Sequence, residues 1–557
     1  MTSETQIPVL IIGGGIVGLS ASLFLSQHGI KSLLIERHSG TSIHPRARSV
    51  NARTMELYRG LGIDELVREA GASMKATMGI HKGLSLKEVI EAKKRTEGPR
   101  KFPLGGLMDS ISSVRGTFVT QDMIEPVLVD VARQRVGDLR FYTECFSIEQ
   151  DDDSVTATLR DRETGTVFSV RANYLIAADG AGSPIRTRLN VPISGQGTMG
   201  YLLNILFTAD LKSLVHQREF SICMIDRTEF SGVFTSINNS DRWVFHLSYD
   251  PSKGEQASDF TPKKCKELLR IAMGIPTIEI DIKSILPWEP SVRVAEQLQH
   301  GRIFLAGDAA HQMPPWGGQG ANSGITDVHN LALKLALVLK KHASTRLLET
   351  YDAERQPVGK ISAEVSASGA DERGIISTNL WDPKVIMGFY RKLGLSSGHG
   401  YIYTSQAIST EDTAPLNGLT WKPWTIASLF FSLDGRPGSR VPHLWITYEG
   451  KRISTLDLCG EKFILLTGEK GDSWLEAAKM VSETLAIDIP AYRAGPNGDL
   501  VTGNGVFESA VGITTQGAIL VRPDGFVAWR ARRQNSTSSE TLQVQLEVAM
   551  RLALCLG

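Results

Sequence analysis

The sequence lacks the features that mark membrane-spanning, secreted and nucleic-acid-binding proteins. No run reaches the roughly 20 apolar residues that a membrane helix needs. The N-terminus has no basic segment followed by an apolar stretch and a cleavage site, so no secretory leader is predicted. Lys+Arg and Asp+Glu are equal at 60 each, so net charge favours neither nucleic acid nor an anionic membrane as partner. These absences predict a cytoplasmic protein that acts on a small molecule.

Cysteine is scarce and scattered. The five cysteines are Cys145, Cys223, Cys265, Cys459 and Cys555. They form no Cys-x-x-Cys pair and no cluster with histidine, so we expect neither a disulfide framework nor a metal site. The chain is 557 residues long, which is more than one hydrophobic core usually serves, and two or three domains are expected.

A glycine-rich motif opens the chain. The apolar residues 9–12 are typical of a buried strand, residues 19–27 of a helix, and residues 31–35 of a second strand that ends at Glu36. Between the first strand and the helix, the GxGxxG spacing is formed by Gly13, Gly15 and Gly18. Such glycines let the backbone approach a pyrophosphate, and the acid accepts hydrogen bonds from a ribose. The segment therefore predicts a dinucleotide site, without separating NAD from FAD.

Two later segments place acids at the ends of predicted strands. Residues 174–178 lead into Asp179-Gly180, a pair that by itself is most often a simple turn. Residues 302–306 form another strand, which leads to Asp308, and a loop rich in proline and glycine then leads into a helix. Open α/β sheets bind ligands at the carboxyl ends of their strands, so this loop is predicted to contact a ligand.

Taken in order, these motifs resemble those of the single-component flavoprotein aromatic hydroxylases. That family has GxGxxG near its start, a central Asp-Gly and a late GDAAHxxxPxGGQGxN segment, which correspond here to residues 13–18, 179–180 and 307–322. The similarity extends through RWVFHLSYDPSKGE, LLETYDAERQPVG, PGSRVPHLWI and GAILVRPDGFVAWR, so it covers most of the chain. It is strongest toward the phenol and chlorophenol hydroxylases and the hydroxylases of aromatic polyketides.

The resemblance implies tightly bound FAD. It places Asp308 on the ribityl chain and the backbone of residues 318–322 at the pyrimidine edge of the flavin ring, where a helix N-terminus suits the negative charge of reduced flavin. Arg46 in HPRARSV and Gln121 in TQDMIEP match family positions beside the flavin. The predicted cofactor-binding residues are Gly13, Gly15, Gly18, Glu36, Arg37, Arg46, Gln121, Asp179, Asp308, Pro315, Gly318, Gly320, Ala321 and Asn322.

The resemblance also implies the reaction. NAD(P)H reduces the flavin, O2 reacts with it, and a flavin C4a-hydroperoxide passes one oxygen to a phenolic or polycyclic aromatic substrate, in secondary metabolism or aromatic catabolism. The sequence has one dinucleotide fingerprint, which FAD would occupy, so the nicotinamide is expected to visit transiently. The choice between NADH and NADPH is not readable from the sequence.

Two residues that activate the phenol in phenol hydroxylases differ in this chain. An ungapped alignment places Arg48 where those enzymes have an aspartate and Val244 where they have a tyrosine. We predict that Arg48 stabilises a phenolate or enolate instead. His246 shares a strand face with Val244 and Ser248, so it is the second candidate for catalysis, and a plain structural role is the alternative.

The motifs also divide the chain. We predict an α/β, Rossmann-like FAD-binding domain from residues 1–75, 110–190 and 296–365. A β-sheet substrate domain is expected to be inserted as residues 76–109 and 191–295, because segments such as DRWVFHLSYD and PTIEIDIKSILPW alternate and are rich in β-branched residues.

The C-terminal third has a different pattern. A helical connector at 366–429, with a helix near 381–395, is expected to lead to a C-terminal domain at 430–557 that contains a hairpin turn at Pro-Asp-Gly. This region resembles the thioredoxin-like C-terminal domain of the same hydroxylases. Its Cys459 has no second cysteine nearby, so folding support or a homodimer contact is expected rather than redox work. The polar segment 85–101 is predicted to be a solvated loop.

Three other functions stay open at this point. A flavin halogenase would need a WxWxIP segment, and TWKPWTI at 420–426 has the wrong spacing and lies in the wrong region. A Baeyer–Villiger oxygenase, which inserts oxygen beside a ketone, uses the same scaffold. From another class, an FAD-binding protein without turnover would neither consume O2 nor oxidise NAD(P)H.

Overall fold

The computed structural model describes residues 5–74, 79–92, 109–135, 137–315, 318–371, 400–412, 431, 433–534 and 538–557. The strands are, in chain order, β1 (Thr5–Ile12), β2 (Ser32–Ile35), β3 (Ser49–Val50), β4 (Ile80–Gly83), β5 (Thr117–Phe118), β6 (Asp138–Arg140), β7 (Thr143–Gln150), β8 (Val155–Asp161), β9 (Val167–Ala177), β10 (Ile193–Thr198), β11 (Tyr201–Thr208), β12 (Ile222–Asp226), β13 (Ser231–Ser236), β14 (Arg242–Tyr249), β15 (Asp281–Trp288), β16 (Ser291–Ala295), β17 (Gln299–His300), β18 (Ile303–Leu305), β19 (His311–Gln312), β20 (Trp445–Tyr448), β21 (Lys451–Ser454), β22 (Ile464–Gly468), β23 (Ala491–Gly495), β24 (Leu500–Val501), β25 (Ala518–Val521) and β26 (Val527–Ala531). The α-helices are α1 (Ile16–Gln27), α2 (Ala52–Gly60), α3 (Asp64–Ala70), α4 (Leu86–Glu91), α5 (Gln121–Gln134), α6 (Pro184–Arg188), α7 (Lys212–Val215), α8 (Pro262–Met273), α9 (Gln319–Leu339), α10 (Glu349–Ala367), α11 (Asp472–Leu485), α12 (Val506–Val511) and α13 (Ser539–Ala553).

The first sheet has eight strands and a parallel centre. Its main order is β17-β18-β9-β1-β2-β6, in which the five strands from β18 to β6 run parallel, and β8 and β7 extend it from β9. The apolar run that predicted a strand at residues 9–12 is the fully buried end of β1, and β2 is buried throughout. Helices α1, α5 and α9 pack together and contribute to the same core as these strands. The predicted opening strand-helix-strand order is confirmed.

The order of this sheet brings the three predicted motifs together. Strand β1 lies directly between β2 and β9, and β9 pairs with β18. Because these strands are parallel, the loops that follow β1, β9 and β18 all leave the same edge. The loops carry Gly13, Asp179 and Asp308, respectively. Residues that lie up to nearly three hundred positions apart in the sequence are therefore placed at the same edge of the sheet.

The second large sheet has six strands in the order β15-β11-β14-β13-β12-β4. One face is covered by helices α4, α7 and α8 around a core that includes Phe207, Trp243 and Phe245. The opposite face carries the alternate residues, among them Asn204 and His246, which lie directly opposite each other on β11 and β14. Every strand of this sheet comes from residues 80–83 or 201–288.

The prediction that residues 85–101 form a solvated loop is wrong for its first part. Residues 86–91 are helix α4, whose N-cap Ser85 accepts a hydrogen bond from the Glu88 backbone N–H. Leu86 and Ile90 lie four residues apart on one face, and both are fully buried against the six-stranded sheet. The four-residue spacing was the signal of an amphipathic helix, which the surrounding charges obscured. Residues 93–101 lie outside the described residues.

The C-terminal sheet has seven strands in the order β21-β20-β24-β23-β22-β25-β26. Helices α11 and α13 cover one face and α12 covers the other. The predicted Pro-Asp-Gly hairpin is confirmed as the turn between the antiparallel strands β25 and β26. The predicted helix at 381–395 and the segment 420–426 lie outside the described residues.

Among the helices in the described ranges, none combines the length and apolarity that crossing a membrane requires. The same ranges hold no group of three or more His, Cys, Asp or Glu side chains arranged to hold a metal ion. The cysteines are free thiols at separate positions.

Candidate active site

The first glycine turn packs tightly against the backbone that follows β9. Gly13 has φ +111, and a Cβ built on it would lie 2.2 Å from the Ala178 carbonyl oxygen at the end of β9. The Gly14 N–H donates to Glu36 Oε2 at 2.6 Å, and the His38 N–H donates to Glu36 Oε1 at 2.9 Å. The turn is therefore available only to glycine, and it holds the predicted ribose-binding carboxylate beside the start of α1.

The start of α1 faces two polar side chains from α5. A Cβ on Gly15 would lie 3.6 Å from Glu125 Oε1 and 3.9 Å from Gln121 Nε2. Gln121 Nε2 donates to Glu125 Oε1 at 2.6 Å, and the Ser42 N–H donates to Glu125 Oε2 at 2.8 Å. Burial raises the pKa of Glu125. Sequence reasoning predicted Gln121 and missed Glu125, although it follows Gln121 by four residues and so shares its helix face.

Gly18 and Asp179 shape the same edge. A Cβ on Gly18 would lie 1.9 Å from the Gly13 carbonyl oxygen, so α1 packs directly on the first turn. Asp179 Oδ2 accepts from the Ile185 N–H at 3.2 Å at the beginning of α6. Burial raises the pKa of the Asp179 carboxyl. Arg37, by contrast, lies at the surface, where its Nε donates to His38 Nε2 at 3.3 Å.

Asp308 lies deep in the cleft and is nevertheless reached by solvent. Its side chain has exposed surface, yet the surrounding protein desolvates it and raises its pKa, against the opposing influence of His311, Arg46 and Arg186. A carboxyl at the bottom of an open cleft has both properties, because protein surrounds it while water still reaches its surface. Asp308 Oδ1 is 3.8 Å from the position of a Cβ on Gly320, so it faces the first turn of α9.

The first turn of α9 is held in place by one asparagine. The helix begins after Gly318, which has φ +63 and no side chain to cap the free N–H groups. Asn322 Nδ2 donates to the Gly318 carbonyl at 2.6 Å. Asn322 Oδ1 accepts from the Asn51 N–H at 2.9 Å and from Thr54 Oγ1 at 2.6 Å. The side chain of Asn322 is thus used to join α9 to α2, and the helix N-terminus faces the cleft.

The remaining predicted cofactor residues flank this turn. Pro315 is exposed and Ala321 is half-buried. Trp316 and Gly317 lie outside the described residues. Arg46 is exposed, and its carbonyl accepts from the Gln121 N–H at 2.8 Å, which fixes the HPRARSV loop to the start of α5.

Arg48 reaches from that loop to the six-stranded sheet. Its Nη1 donates to the Ser221 carbonyl at 3.2 Å and to Ser221 Oγ. Its Nε and Nη2 are buried, and within the described residues neither has a hydrogen-bond partner. Burial lowers the pKa of Arg48 to about 10, so the guanidinium stays charged at neutral pH. A buried cation with free donors points to an oxygen ligand.

His246 has a partner on each ring nitrogen. Its Nδ1 lies 2.6 Å from Asn204 Oδ1 and its Nε2 lies 3.2 Å from Thr235 Oγ1. The carbonyl oxygen of Asn204 only accepts, so this network assigns the proton to Nδ1 and lets Nε2 accept from the Thr235 hydroxyl. Burial, followed by the nearby His44, lowers the pKa of His246 to about 4. The residue is neutral and held across three strands.

An ion pair joins helix α5 to the six-stranded sheet beside these residues. Arg242 at the start of β14 contacts Asp122 at the start of α5, with Nη2 2.5 Å from Oδ2. The glycine turn, Asp308, the start of α9 and Arg48 thus surround one cleft between the eight-stranded and six-stranded sheets. This architecture, with glycines closing the turn after β1 and an uncapped helix N-terminus, defines a dinucleotide-binding α/β protein.

The residues present fit FAD. The turn at Gly13 exposes backbone that a side chain would cover, Asp308 is an accessible acceptor for hydroxyl groups, and the free end of α9 suits an electron-rich ring edge. Comparison with known proteins agrees. Residues 6–366 match the family described as FAD binding domain, and residues 434–550 match the one described as aromatic-ring hydroxylase, C-terminal.

Individual relatives match over nearly the whole chain. Tetracenomycin A2 monooxygenase-dioxygenase of Streptomyces glaucescens is 38% identical over 98% of this chain and 97% of its own length. 4-Methyl-5-nitrocatechol 5-monooxygenase of a Burkholderia species is 35% identical, over 99% and 98% respectively. A solved structure of aklavinone-11 hydroxylase with FAD and aklavinone has a TM-score of 0.84 and 33% identity, with 100% of both chains covered. The chain belongs to the FAD-dependent aromatic-ring hydroxylases, and it is a flavoprotein monooxygenase.

Proposed function

We propose that this enzyme uses NAD(P)H and O2 to hydroxylate a bulky phenolic or polycyclic aromatic small molecule. Two groups of relatives support this substrate class. The tetracenomycin relative and the aklavinone complex are named for fused-ring compounds, and the nitrocatechol relative is named for a single phenolic ring.

The proposal includes an arrangement of domains. A Rossmann-like FAD domain would consist of residues 1–75, 110–190 and 296–365, which contain every strand of the eight-stranded sheet. The substrate domain, residues 76–109 and 191–295, contains the six-stranded sheet. The C-terminal unit resembles thioredoxin in having helices on both faces of a mixed sheet, and its role as a homodimer contact stays a prediction.

FAD supplies reducing electrons and the activation of O2 for transfer of one oxygen atom to the substrate. The protein supplies binding groups. In this proposal Glu36 accepts from the adenosine ribose, the Gly13–Gly15 backbone receives the pyrophosphate, and Asp308 accepts from ribityl hydroxyls. The N-terminus of α9 donates to the pyrimidine edge.

The substrate would lie against the face of the six-stranded sheet that is opposite helices α4, α7 and α8. A cross-strand row on this face contains Asn204, His246, Val233 and Met224. Leu202 packs with Val233 and Met224, and Trp288 adds its ring beside them. An apolar surface of this kind binds a flat ring system, while the few polar groups orient its oxygens.

The observation that carries the proposal is the pair of free buried donors on Arg48. A guanidinium with unused N–H groups beside this face can donate charge-assisted hydrogen bonds to the oxygen of a phenolate or enolate. Stabilising the deprotonated form raises electron density on the ring carbon that receives oxygen. His246 is neutral and bonded on both sides, so in this proposal it fixes Asn204 and Thr235 rather than removing the substrate proton.

The test is a substrate screen with the purified holoenzyme. Phenols and fused-ring phenols are assayed for stimulated NAD(P)H oxidation, O2 uptake, peroxide release and a product heavier by one oxygen. Arg48→Met is expected to lower kcat and shift O2 consumption toward peroxide, Arg48→Lys to retain part of the coupling, and the exposed control Arg160→Met to behave as wild type. If Arg48→Met forms as much hydroxylated product for each NAD(P)H oxidised as wild type does, Arg48 is not part of the substrate site. A ring-expanded lactone would indicate Baeyer–Villiger chemistry instead, and an absence of O2 uptake with all substrates contradicts the proposal.

A further inference from the structure

A buried charged cluster connects the C-terminal hairpin to the cleft-side helices. We name it the hairpin cluster, and it consists of Arg53, Asn330, Lys334, Glu354, Arg522 and Asp524. Arg522 and Asp524 belong to the β25–β26 turn, Glu354 lies on α10, Asn330 and Lys334 on α9, and Arg53 on α2. All six side chains are buried.

Glu354 is the centre of the cluster. Arg522 binds it with two parallel hydrogen bonds, Nη1 to Oε1 at 2.7 Å and Nη2 to Oε2 at 3.0 Å. Lys334 Nζ donates to Oε2 at 2.8 Å, and Asn330 Nδ2 donates to the same oxygen at 2.7 Å. A bidentate guanidinium-carboxylate pair fixes direction as well as distance, so the hairpin holds α10 and α9 in one orientation.

Asp524 extends the contact to α2. Its backbone carbonyl accepts from Arg53 Nη2 at 2.8 Å, and its carboxylate pairs with Arg522. Asn330 Nδ2 lies 3.4 Å from Asp524 Oδ2. One turn of the C-terminal unit therefore contacts both α2 and α9, whose sequence positions lie hundreds of residues away.

These two helices begin at the candidate active site. Helix α2 is capped by Asn51, three residues after Arg48, and α9 begins after Gly318. Asn322 joins their first turns through Asn51 and Thr54. The hairpin cluster contacts α9 about 12 Å further along, given the rise of 1.5 Å for each of the eight residues from Asn322 to Asn330. On α2 it contacts the first turn itself, at Arg53. Helices α2 and α9 are thus joined once through Asn322 and once through the hairpin cluster, and only the second connection depends on the C-terminal unit.

The composition of the cluster favours a positioning role. Buried ion pairs seldom stabilise a fold more than apolar packing of similar volume would, but they admit fewer alternative arrangements. Here Lys334 and Arg522 pair with Glu354, and Arg522 also pairs with Asp524. Arg53 pairs with Glu56 and donates to the Asp524 carbonyl.

We propose that the C-terminal hairpin positions the first turns of α2 and α9, and that Arg522 thereby sets the affinity and environment of the flavin. Arg522 is a positioning residue, because it acts through Glu354 and α9 rather than through contact with the cofactor. The C-terminal unit is then part of the cofactor site, beyond any role in folding.

The experiment measures FAD binding by the full chain. Apoprotein is titrated with oxidised FAD, following flavin fluorescence, and the visible spectrum and unfolding temperature are recorded. Arg522→Met is expected to weaken FAD binding about fivefold to tenfold and to change the resolution of the visible bands, since residues along such a connection alter coupling on that order. Arg522→Lys, which keeps a cation on Glu354, is expected to recover most of the affinity.

Val481→Ala is the control. Val481 is fully buried in the C-terminal core and lies outside the hairpin cluster, so this variant should unfold at a lower temperature with unchanged FAD affinity and spectrum. Folded Arg522→Met with wild-type affinity and spectrum overturns the inference, as does an equal loss of affinity in Val481→Ala. If Arg522→Met does not fold, Asp524→Asn replaces it with the same criteria. FAD affinity and the visible spectrum are measured without NAD(P)H or substrate, so their outcome does not depend on whether the proposed hydroxylation is correct.

Discussion

His311 and Asp327 form a fully buried pair, with His311 Nε2 2.7 Å from Asp327 Oδ2. The same Asp327 oxygen accepts from the Gly307 N–H at 3.2 Å, and Arg355 Nε donates to Asp327 Oδ1 at 2.8 Å. Asp327 lies on α9, whereas Gly307 and His311 flank Asp308. The carboxylate thus holds the loop that presents Asp308 against the helix whose first turn faces the cleft.

We predict that Asp327→Asn destabilises the fold strongly at neutral pH. Burial alone would raise the pKa of Asp327, but His311 and Arg355 outweigh it and hold the pKa below its usual range. The charged form therefore contributes stability above the unfolded-state pKa of about 3.9, and this contribution is lost as pH falls through the folded-state value. Leaving Arg355 without its partner should cost about 3–5 kcal/mol of unfolding free energy.

Urea unfolding at pH 7 and at about pH 3, below the unfolded-state pKa, measures this effect. The gap between Asp327→Asn and wild type should be large at pH 7 and narrow in acid. The exposed Asp130 on α5 is the matched position, and Asp130→Asn should change the unfolding free energy by less than about 0.5 kcal/mol. Equal effects of the two substitutions would contradict the role given to Asp327.

A second prediction concerns the glycine turn. Gly13→Ala places a methyl group 2.2 Å from the Ala178 carbonyl at a backbone φ of +111. The strained φ alone costs about 1–3 kcal/mol, and the contact must move the turn that would receive the pyrophosphate. We expect a chain that is less stable and purified without flavin. The control is Gly40→Ala, since nothing lies within 4 Å of a Cβ there; a yellow Gly13→Ala protein with full FAD content would disprove the assignment.

Much of this edge was predictable because its signals are local. Buried parallel strands appear as continuous apolar runs, so residues 9–12 and 302–306 marked β1 and β18 directly. The hairpin turn was visible in three adjacent residues. Each prediction depended on neighbours in sequence, and the parallel order then placed the three motif loops at one edge.

The partners that define the site were not predictable, because they come from distant segments. Arg48 and Ser221 are 173 positions apart, and Asn322 is 268 positions from Thr54. Such contacts leave no periodic pattern in the sequence. The same limit applies to His246, whose strand face could be read from alternation but whose partners Asn204 and Thr235 depend on the register of three strands.

A third prediction separates cofactor binding from stability at Asp308. Burial raises the pKa of this carboxyl, so the protein carries a desolvation cost for its charge. Asp308→Asn removes that cost while weakening the acceptor for ribityl hydroxyls. We expect an apoprotein at least as stable as wild type and an FAD dissociation constant about tenfold higher, because charged hydrogen bonds contribute on that order.

Thermal unfolding of the apoprotein tests the expected stability, and FAD titration separately tests the expected dissociation constant. A variant that loses stability and keeps its FAD affinity would show that Asp308 serves the fold instead. Asp130→Asn again provides the neutral comparison at an exposed aspartate.

The last prediction concerns His246 and acid. Burial, and after it His44, lowers the pKa of His246 to about 4, whereas the unfolded chain takes up this proton near pH 6.5. Because the unfolded state binds the proton first, folding stability falls as pH decreases from about 6.5 toward 4, and this residue should account for up to about 2 kcal/mol of the loss by pH 5. His246→Gln cannot titrate and should lose less stability over that range, while His216→Gln, at an exposed position, should follow wild type.

The variant His246→Gln also distinguishes the two roles considered for His246. Retained kcat supports positioning of Asn204 and Thr235, and a large loss of kcat with a shifted pH profile supports a base at this position.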